Sequence, residues 1–293
     1  MIVALAIYII TAIILQLWLG CIEVSIFAFP VNIAIAIATI MALWVAEKEY
    51  SSTKWHKQLR SATTSCLILT AIIIWCIIGG CISQDASSNG MAGALGLTSF
   101  PTSIPFVALL AALLVNLSMT IIRRICKHGL SKSKTFVLTH FGIWLALLSG
   151  FAGAADTYKL RTILEPDSET TKAIDNKGHE YSLPFTLKMR DFNIVTDRNG
   201  APAQYSATID INNNQHSISV NSPVRIGLDE KIYLVSYGNT DNGSYYAVLE
   251  DVHQPWDIPL LIGIVAMLCG TFIYAATRSK RGSVDKQKMH QII

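Results

Sequence analysis

The sequence predicts a polytopic α-helical membrane protein that carries one mostly antiparallel β domain between its fifth and sixth membrane helices. Hydrophobic residues make up 52% of the 293 residues, charged residues only 15%, and the mean hydropathy is +0.43. Six apolar runs have the length of ~20 residues that a bilayer crossing requires. Between the last two runs, residues 156–254 form a polar segment with alternating apolar positions. This combination excludes a single soluble core.

The first two apolar runs predict an additional transmembrane hairpin at residues 1–46. The first run covers residues 2–19, and the second covers residues 24–46 with Pro30 inside it. No basic segment precedes the first run and no convincing small-residue cleavage site follows it. We therefore expect a retained helix rather than a removable signal peptide.

Residues 47–155 contain the third, fourth and fifth predicted helices, at residues 61–83, 104–122 and 135–155. The loops before the third and fifth helices are basic, whereas the loop at residues 84–103 has no Lys or Arg. All six cysteines lie in or next to apolar runs, and no CxxC or CxxCH motif occurs. The chain therefore has no thiol-redox motif and no c-type haem attachment site of its own.

Residues 156–254 are predicted to form a β domain, as a sandwich or an open barrel. Tyr205, Ala207, Ile209 and Ile211 alternate with polar residues, and three consecutive asparagines then favour a turn into the next strand. A second alternating run changes phase near Arg190, which indicates a β-bulge.

The last helix is predicted at residues 255–276, followed by a basic cytoplasmic tail at residues 277–293. The short loops and the tail carry fourteen Lys and Arg residues, and all of them fall on one side of the predicted membrane. The positive-inside rule then places both termini in the cytoplasm and the β domain outside. This distribution predicts a multi-pass membrane protein.

His140 is the main candidate for a functional residue, because an ionisable side chain within a membrane helix is costly. Its helical face is shared by Phe136, Ile143, Trp144, Leu147 and Phe151, while small residues including Gly142 and Gly150 form the opposite stripe. An imidazole framed by apolar groups suits axial ligation of haem iron. Hydrogen bonding of His140 to a neighbouring helix is the alternative.

A resemblance to the ResB (CcsB) family of System II cytochrome c maturation begins at this fifth helix. It rests on four blocks in the family's order, which read THFGIWLALLSGFAGAAD, LPFTLKMRDFNI, SVNSPVRIGLDEKIYLVSYG and YYAVLEDVHQPWDIPLLIGIVAMLCG. The preceding spans agree with it, because SIPFVALLAALLVNLSMTIIRR is similar to the family's second helix, and the resemblance therefore extends over residues 61–276. Residues 1–46 stand outside the family's four-helix plan, and residues 156–254 are short for its outer domain.

The resemblance implies a subunit that carries haem b across the membrane and presents it for attachment to apocytochrome c. It identifies His140 as a ligand of the haem iron, and a ResC/CcsA-like membrane subunit as the partner that bears the tryptophan-rich haem-binding segment. A thioredoxin-like thiol reductase is a further implied partner, and nucleic acid is not. The chain would be a non-catalytic or accessory subunit of a cytochrome c haem lyase. The alternative function is a non-haem membrane scaffold or sensor whose β domain binds a periplasmic protein.

Five other residues remain as secondary candidates. His56 and His128 lie in basic loops, where we expect solvated side chains. His253 lies beside Pro255 and Trp256 at the predicted membrane surface. Arg123 and Arg124 suit either haem propionates, because a guanidinium matches carboxylate geometry, or topology anchors at the cytoplasmic interface.

Overall fold

The computed structural model describes residues 1–85, 90–199, 202–240 and 242–290, with the side chains of the last helix described as far as Thr277. The chain divides into two compact units, one of Met1–Ala155 with Pro259–Ile293 and one of Asp156–Ile258. Beyond Thr277, the side chains of the predicted basic tail lie outside the described residues.

The first unit is helical. Six of its helices, counted over the described residues, are long and apolar enough to span a membrane, which confirms that sequence prediction. They are Ile2–Leu19, Val31–Tyr50, Ala62–Gly80, Ile104–His128, Lys134–Asp156 and Asp257–Thr277. The helices run α1 Ile2–Leu19, α2 Val31–Tyr50, α3 Lys54–Leu59, α4 Ala62–Gly80, α5 Met91–Ala94, α6 Ile104–His128, α7 Lys134–Asp156 and α8 Asp257–His290.

Two helix boundaries differ from the prediction. The second helix begins only after Pro30, since proline lacks an N–H and is tolerated at a helix start rather than in its interior. Helix α6 continues through Arg123 and Arg124 as far as His128, so these arginines are helical residues and not loop residues. Their long side chains can keep a charged head in polar surroundings beyond the apolar run.

Helix α6 is the centre of the first unit, because α1, α2 and α4 all pack against it. Two buried amides fix these contacts. The Oε1 atom of Gln16 on α1 accepts a hydrogen bond from the Ile104 backbone N–H at 2.8 Å. The Asn116 side chain on α6 donates to the Leu59 carbonyl at 2.6 Å and accepts from the Ser65 hydroxyl at 2.7 Å. Such bonds give specific partners to polar groups that an apolar environment would otherwise leave unsatisfied.

Helices α7 and α8 approach closely through small residues. A Cβ atom added to Gly142 would collide with the backbone of Met267 and of Gly263. A Cβ atom on Gly263 would lie 2.7 Å from the Ala146 backbone nitrogen. The predicted small-residue stripe is therefore an interhelical contact at Gly142 and Ala146, whereas a Cβ atom on Gly150 would have nothing within 4 Å.

The second unit is a single antiparallel sheet, which confirms the predicted β domain. Its eight strands stand in the order β5-β4-β3-β2-β1-β8-β7-β6. The register of β3 against β4 shifts between Met189 and Asp191, where a bulge is predicted, and Asn212 and Asn213 form the β4–β5 turn with positive φ. The strands are β1 Tyr158–Leu164, β2 Glu169–Ile174, β3 Glu180–Thr196, β4 Pro202–Ile211, β5 Asn214–Ser219, β6 Val224–Arg225, β7 Glu230–Asn239 and β8 Tyr245–His253.

The sheet curls around one apolar core. The two edge strands, β5 and β6, follow each other in the chain and are joined by residues 220–223. The Tyr205 hydroxyl on β4 donates to the Val235 carbonyl on β7 at 3.1 Å, although these strands stand near opposite ends of the sheet order. The core contains apolar residues of seven strands, among them Leu164, Leu187 and Ile209.

Candidate functional site

His140 lies near the start of α7, half-buried, with its ring orientation fixed by the preceding helical turn. Its Nδ1 atom is 2.9 Å from the backbone carbonyl oxygen of Phe136. A carbonyl oxygen can only accept, so Nδ1 carries the proton in this hydrogen bond. The lone pair of a neutral His140 is therefore on Nε2, which is the arrangement found when a histidine binds a metal.

The Phe136 side chain adds a second constraint. Its ring stacks on the His140 imidazole with centroids 3.8 Å apart and planes at 20°. One residue thus holds the imidazole through both its carbonyl and its ring. This leaves Nε2 as the ring nitrogen free for a ligand, and it limits the directions in which His140 can point.

Two cavities border His140. The first, here called the inner cavity, measures about 620 Å³ and lies between α4, α6 and α7. Ile143 and Leu147 line it together with His140 and Phe136, as the shared helical face predicts. Leu69 and Leu113 contribute apolar walls, and the other lining residues are Arg60, Ala62, Ser65, Cys66, Asn116, Leu117 and Thr120.

The second, here called the basic cavity, measures about 680 Å³ and lies at the start of α7. Its cationic side chains are Arg124, Lys132 and Lys134, and no carboxylate is among its described lining residues. His140 and Phe136 belong to both cavities. The histidine is therefore placed where an apolar space and a positively charged space meet.

Trp144 and Phe151 lie on the predicted face of α7 but do not line the cavities around His140. Both border a separate apolar cavity of about 210 Å³ between α2, α6 and α7. Phe151 is eleven positions after His140, a rise of ~16 Å along the helix, which puts it beyond the reach of the imidazole. Only the part of the face nearest His140 belongs to the candidate site.

A buried ion cluster adjoins the inner cavity, and the sequence analysis missed it. Glu47, at the end of α2, is 7% exposed and pairs with three cationic side chains. Its carboxylate contacts the Arg60 guanidinium, the His56 Nε2 atom at 2.8 Å and the Arg123 guanidinium at 3.4 Å. The prediction of a solvated His56 is wrong, because this side chain is 1% exposed and lies in the cluster. The sequence did contain a signal for this cluster. Glu47 lies at the end of an apolar run and is followed by His56 and Arg60.

The other histidines examined as candidates do not join the site. His128 is exposed at the end of α6, as predicted. His253 stacks on Tyr158 with centroids 4.7 Å apart, and its Nε2 atom is 3.5 Å from an Asp229 carboxylate oxygen. Within the described residues, no group of three or more His, Cys, Asp or Glu side chains could hold a metal ion.

The site fits one half of a haem pocket. The inner cavity has a volume within the ~300–1,000 Å³ typical of cofactor and ligand sites, and its walls are mostly apolar. It offers one imidazole nitrogen with a free lone pair, and a porphyrin supplies its own four nitrogens to the iron. His140 is the one histidine among the described lining residues of either cavity.

The fold and the site define a multi-helix membrane-type protein with an antiparallel β domain and a single histidine at the junction of two cavities. A sequence model of the ResB-like family matches residues 127–260. The matched segment includes His140 and supports the ResB resemblance found in the sequence.

Comparison with curated proteins gave no match. Among solved structures, one similar chain is a cytochrome c heme lyase, CcmF, with 9% sequence identity and a TM-score of 0.35. The similarity covers 72% of this chain and 34% of that one, so the chain spans about a third of the length of that structure.

Proposed function

We propose that the chain is the ResB-like subunit of a System II cytochrome c maturation complex, which carries haem b across the membrane and presents it for attachment to apocytochrome c. The observation that carries this proposal is the position of His140, with its Nε2 lone pair free at the junction of an apolar and a basic cavity. The ResB-like match over residues 127–260 supports it independently.

The proposed orientation puts the start of α7 at the cytoplasmic face of the bacterial inner membrane. The fourteen Lys and Arg residues of the short loops and tail favour cytoplasmic termini and an extracytoplasmic β domain. His140 is six residues after the first residue of α7, a rise of ~9 Å. It is therefore suited to receive haem from the cytoplasmic side.

In this proposal His140 holds the iron, Phe136 keeps the imidazole in position, and the inner cavity excludes water from one face of the porphyrin. Haem b would supply an iron centre that takes Nε2 as an axial ligand. The second strong ligand then comes from a ResC/CcsA-like membrane subunit, since the cavities contain no second described histidine. The chain is an accessory subunit of the haem lyase complex, and a thioredoxin-like reductase keeps the thiols of apocytochrome c reduced.

The experiment is a comparison of His140→Ala with His128→Ala in the complex co-purified with its ResC-like subunit. We expect His140→Ala to lose most of the bound haem, measured as Soret absorbance per protein, while His128→Ala keeps it because His128 is exposed outside both cavities. Free imidazole added to His140→Gly should restore part of the haem, because it can occupy the vacated space. An unchanged spectrum in His140→Ala would rule out His140 as the ligand.

A second candidate function is a membrane scaffold whose β domain binds a periplasmic protein. An aromatic cluster on the domain favours it, with Tyr237 packed against Phe192, Tyr205 and Tyr245 at centroid distances of 4.9–5.9 Å. Tyr245 is 40% exposed. Aromatic side chains are enriched at protein interfaces. The absence of haem from the purified wild-type complex would favour this function over the first.

A further inference from the structure

The basic cavity has positive charge without a counter-ion among the described residues. Arg124, Lys132 and Lys134 line it, and no Asp or Glu does. The Nε atom of Arg124 is buried and has no hydrogen-bond partner among the described groups. Its neighbour Arg123 differs, because that guanidinium is 3.4 Å from the Glu47 carboxylate. A buried guanidinium donor without a partner is costly, which indicates that Arg124 is completed by an anionic ligand.

The start of α7 adds neutral donors to the same cavity. Ser133 is 2% exposed, lines the cavity and has a hydroxyl without a partner among the described residues. It directly precedes Lys134, the first residue of a helix of 23 residues. The first backbone N–H groups of a helix have no partner within that helix, and its N-terminus has a partial positive charge. The cationic side chains, the Ser133 hydroxyl and the N-terminus of α7 together form a site that suits an anion.

The anion site and the histidine are connected through one aromatic ring. The Arg124 guanidinium carbon is 5.3 Å from the centroid of the Phe136 ring, and that ring is 3.8 Å from the imidazole of His140. Both groups border the same cavity of about 680 Å³. A ligand with a metal at its centre and carboxylates at its edge matches this arrangement, and haem is such a ligand.

We propose that the basic cavity binds the propionate carboxylates of the haem held by His140, with Arg124 as their principal partner. This inference rests on the proposed function and adds the orientation of the haem, whose propionate edge faces the start of α7. Arg124 is better suited than the two lysines, because a guanidinium binds a carboxylate through two parallel hydrogen bonds. Arg123 is excluded from this role, since it is paired with Glu47.

The test compares haem with haem dimethyl ester, which keeps the iron but lacks the propionate charges. Each is titrated into the haem-depleted complex of the full chain with its ResC-like subunit, and the dissociation constant is measured from the Soret band. We expect wild type to bind haem on the order of tenfold more tightly than the ester, the effect of one charge-assisted hydrogen bond. Arg124→Gln should weaken haem binding by a similar factor and leave the affinity for the ester unchanged.

Arg123→Gln is the matched control, as the same substitution one position earlier, and should keep the preference of wild type for haem over the ester. Arg124→Lys retains the positive charge, and its preference for haem over the ester should lie between those of wild type and Arg124→Gln. This variant tests the propionate site if the Arg124→Gln complex fails to assemble. Equal binding of haem and ester by wild type, with a Soret band that still depends on His140, would overturn the propionate site and leave the His140 assignment intact. Binding that does not depend on His140 would overturn both proposals.

Discussion

Asp251 is a carboxyl group inside the apolar core of the β domain. It is 4% exposed, and its neighbours in register are Leu160 on β1 and Ile232 on β7. Burial, together with the negative charge of Glu230 and a hydrogen bond to Glu230, raises the pKa of Asp251 to about 7. The folded domain therefore holds a proton that the unfolded chain releases at much lower pH.

This proton predicts a stability that falls as the pH rises. Between the unfolded pKa of 3.8 and the folded pKa of about 7, the folded state binds more protons than the unfolded state, so each increase in pH favours unfolding. The loss between pH 5 and pH 8 should be about 2–3 kcal/mol and should level off above pH 7. Thermal unfolding of an excised fragment of residues 156–258, followed by circular dichroism, measures it.

Asp251→Asn should flatten this pH dependence, since an amide does not titrate. Glu165→Gln removes an exposed carboxylate and should leave the dependence as in wild type. A wild-type fragment whose melting temperature is the same at pH 5 and pH 8 would contradict the assignment of a protonated Asp251.

At the level of single residues, the sequence drew attention to His140 and gave a wrong prediction for His56. His140 could be selected because an imidazole is conspicuous within a membrane-length apolar run. The burial of His56 depends on a carboxylate nine residues earlier and on the packing around α3, which composition cannot show. The two cavities also escaped prediction, because their volumes depend on the spacing between helices that are distant in the sequence.

Among the elements, the pair of helices α7 and α8 offers a direct test of close packing. Gly142→Ala should lower stability by about 1–3 kcal/mol, because its methyl group would meet the backbone of Met267 and force the helices apart. Gly150→Ala should be neutral or slightly stabilising, since its methyl group meets nothing within 4 Å and alanine favours a helix. Thermal unfolding of the full chain in detergent compares the two variants. Equal melting temperatures would show that α8 is not packed on Gly142.

Strands in which apolar residues alternate regularly with polar ones were predictable from the sequence. A strand with charged and polar residues among its apolar ones was not. Tyr205 to Ile211 and the bulge near Arg190 follow from the side-chain period of two residues. Strand β1 was missed, although Leu160, Thr162 and Leu164 are its buried positions. Its intervening Arg161 pairs with Glu250, which lies 89 residues later in the chain. A local reading of the sequence gives no sign of that partner.

For the whole molecule, the proposed orientation predicts which side of the membrane each loop faces. Single cysteines at Ser52 and Ser131, introduced into a cysteine-free chain, should react with a membrane-impermeant thiol reagent only after the cytoplasmic face is opened. A cysteine at Ser168, in the β domain, should react from outside in intact spheroplasts. The physical reason is the one-sided distribution of the fourteen basic residues. Labelling of Ser168→Cys only from inside would overturn the proposed direction of haem transfer.

The ion cluster at Glu47 also sets an order of events during synthesis. Glu47 ends the second helix, and its partners appear later in the chain: His56 after nine residues, Arg60 after thirteen and Arg123 after seventy-six. His56 and Arg60 are synthesised before α4, whereas Arg123 follows only near the end of α6. The Glu47 carboxylate can therefore pair early with His56 and Arg60, and only later with Arg123. Insertion of α6 then allows the Arg123–Glu47 pair to join α2 to α6.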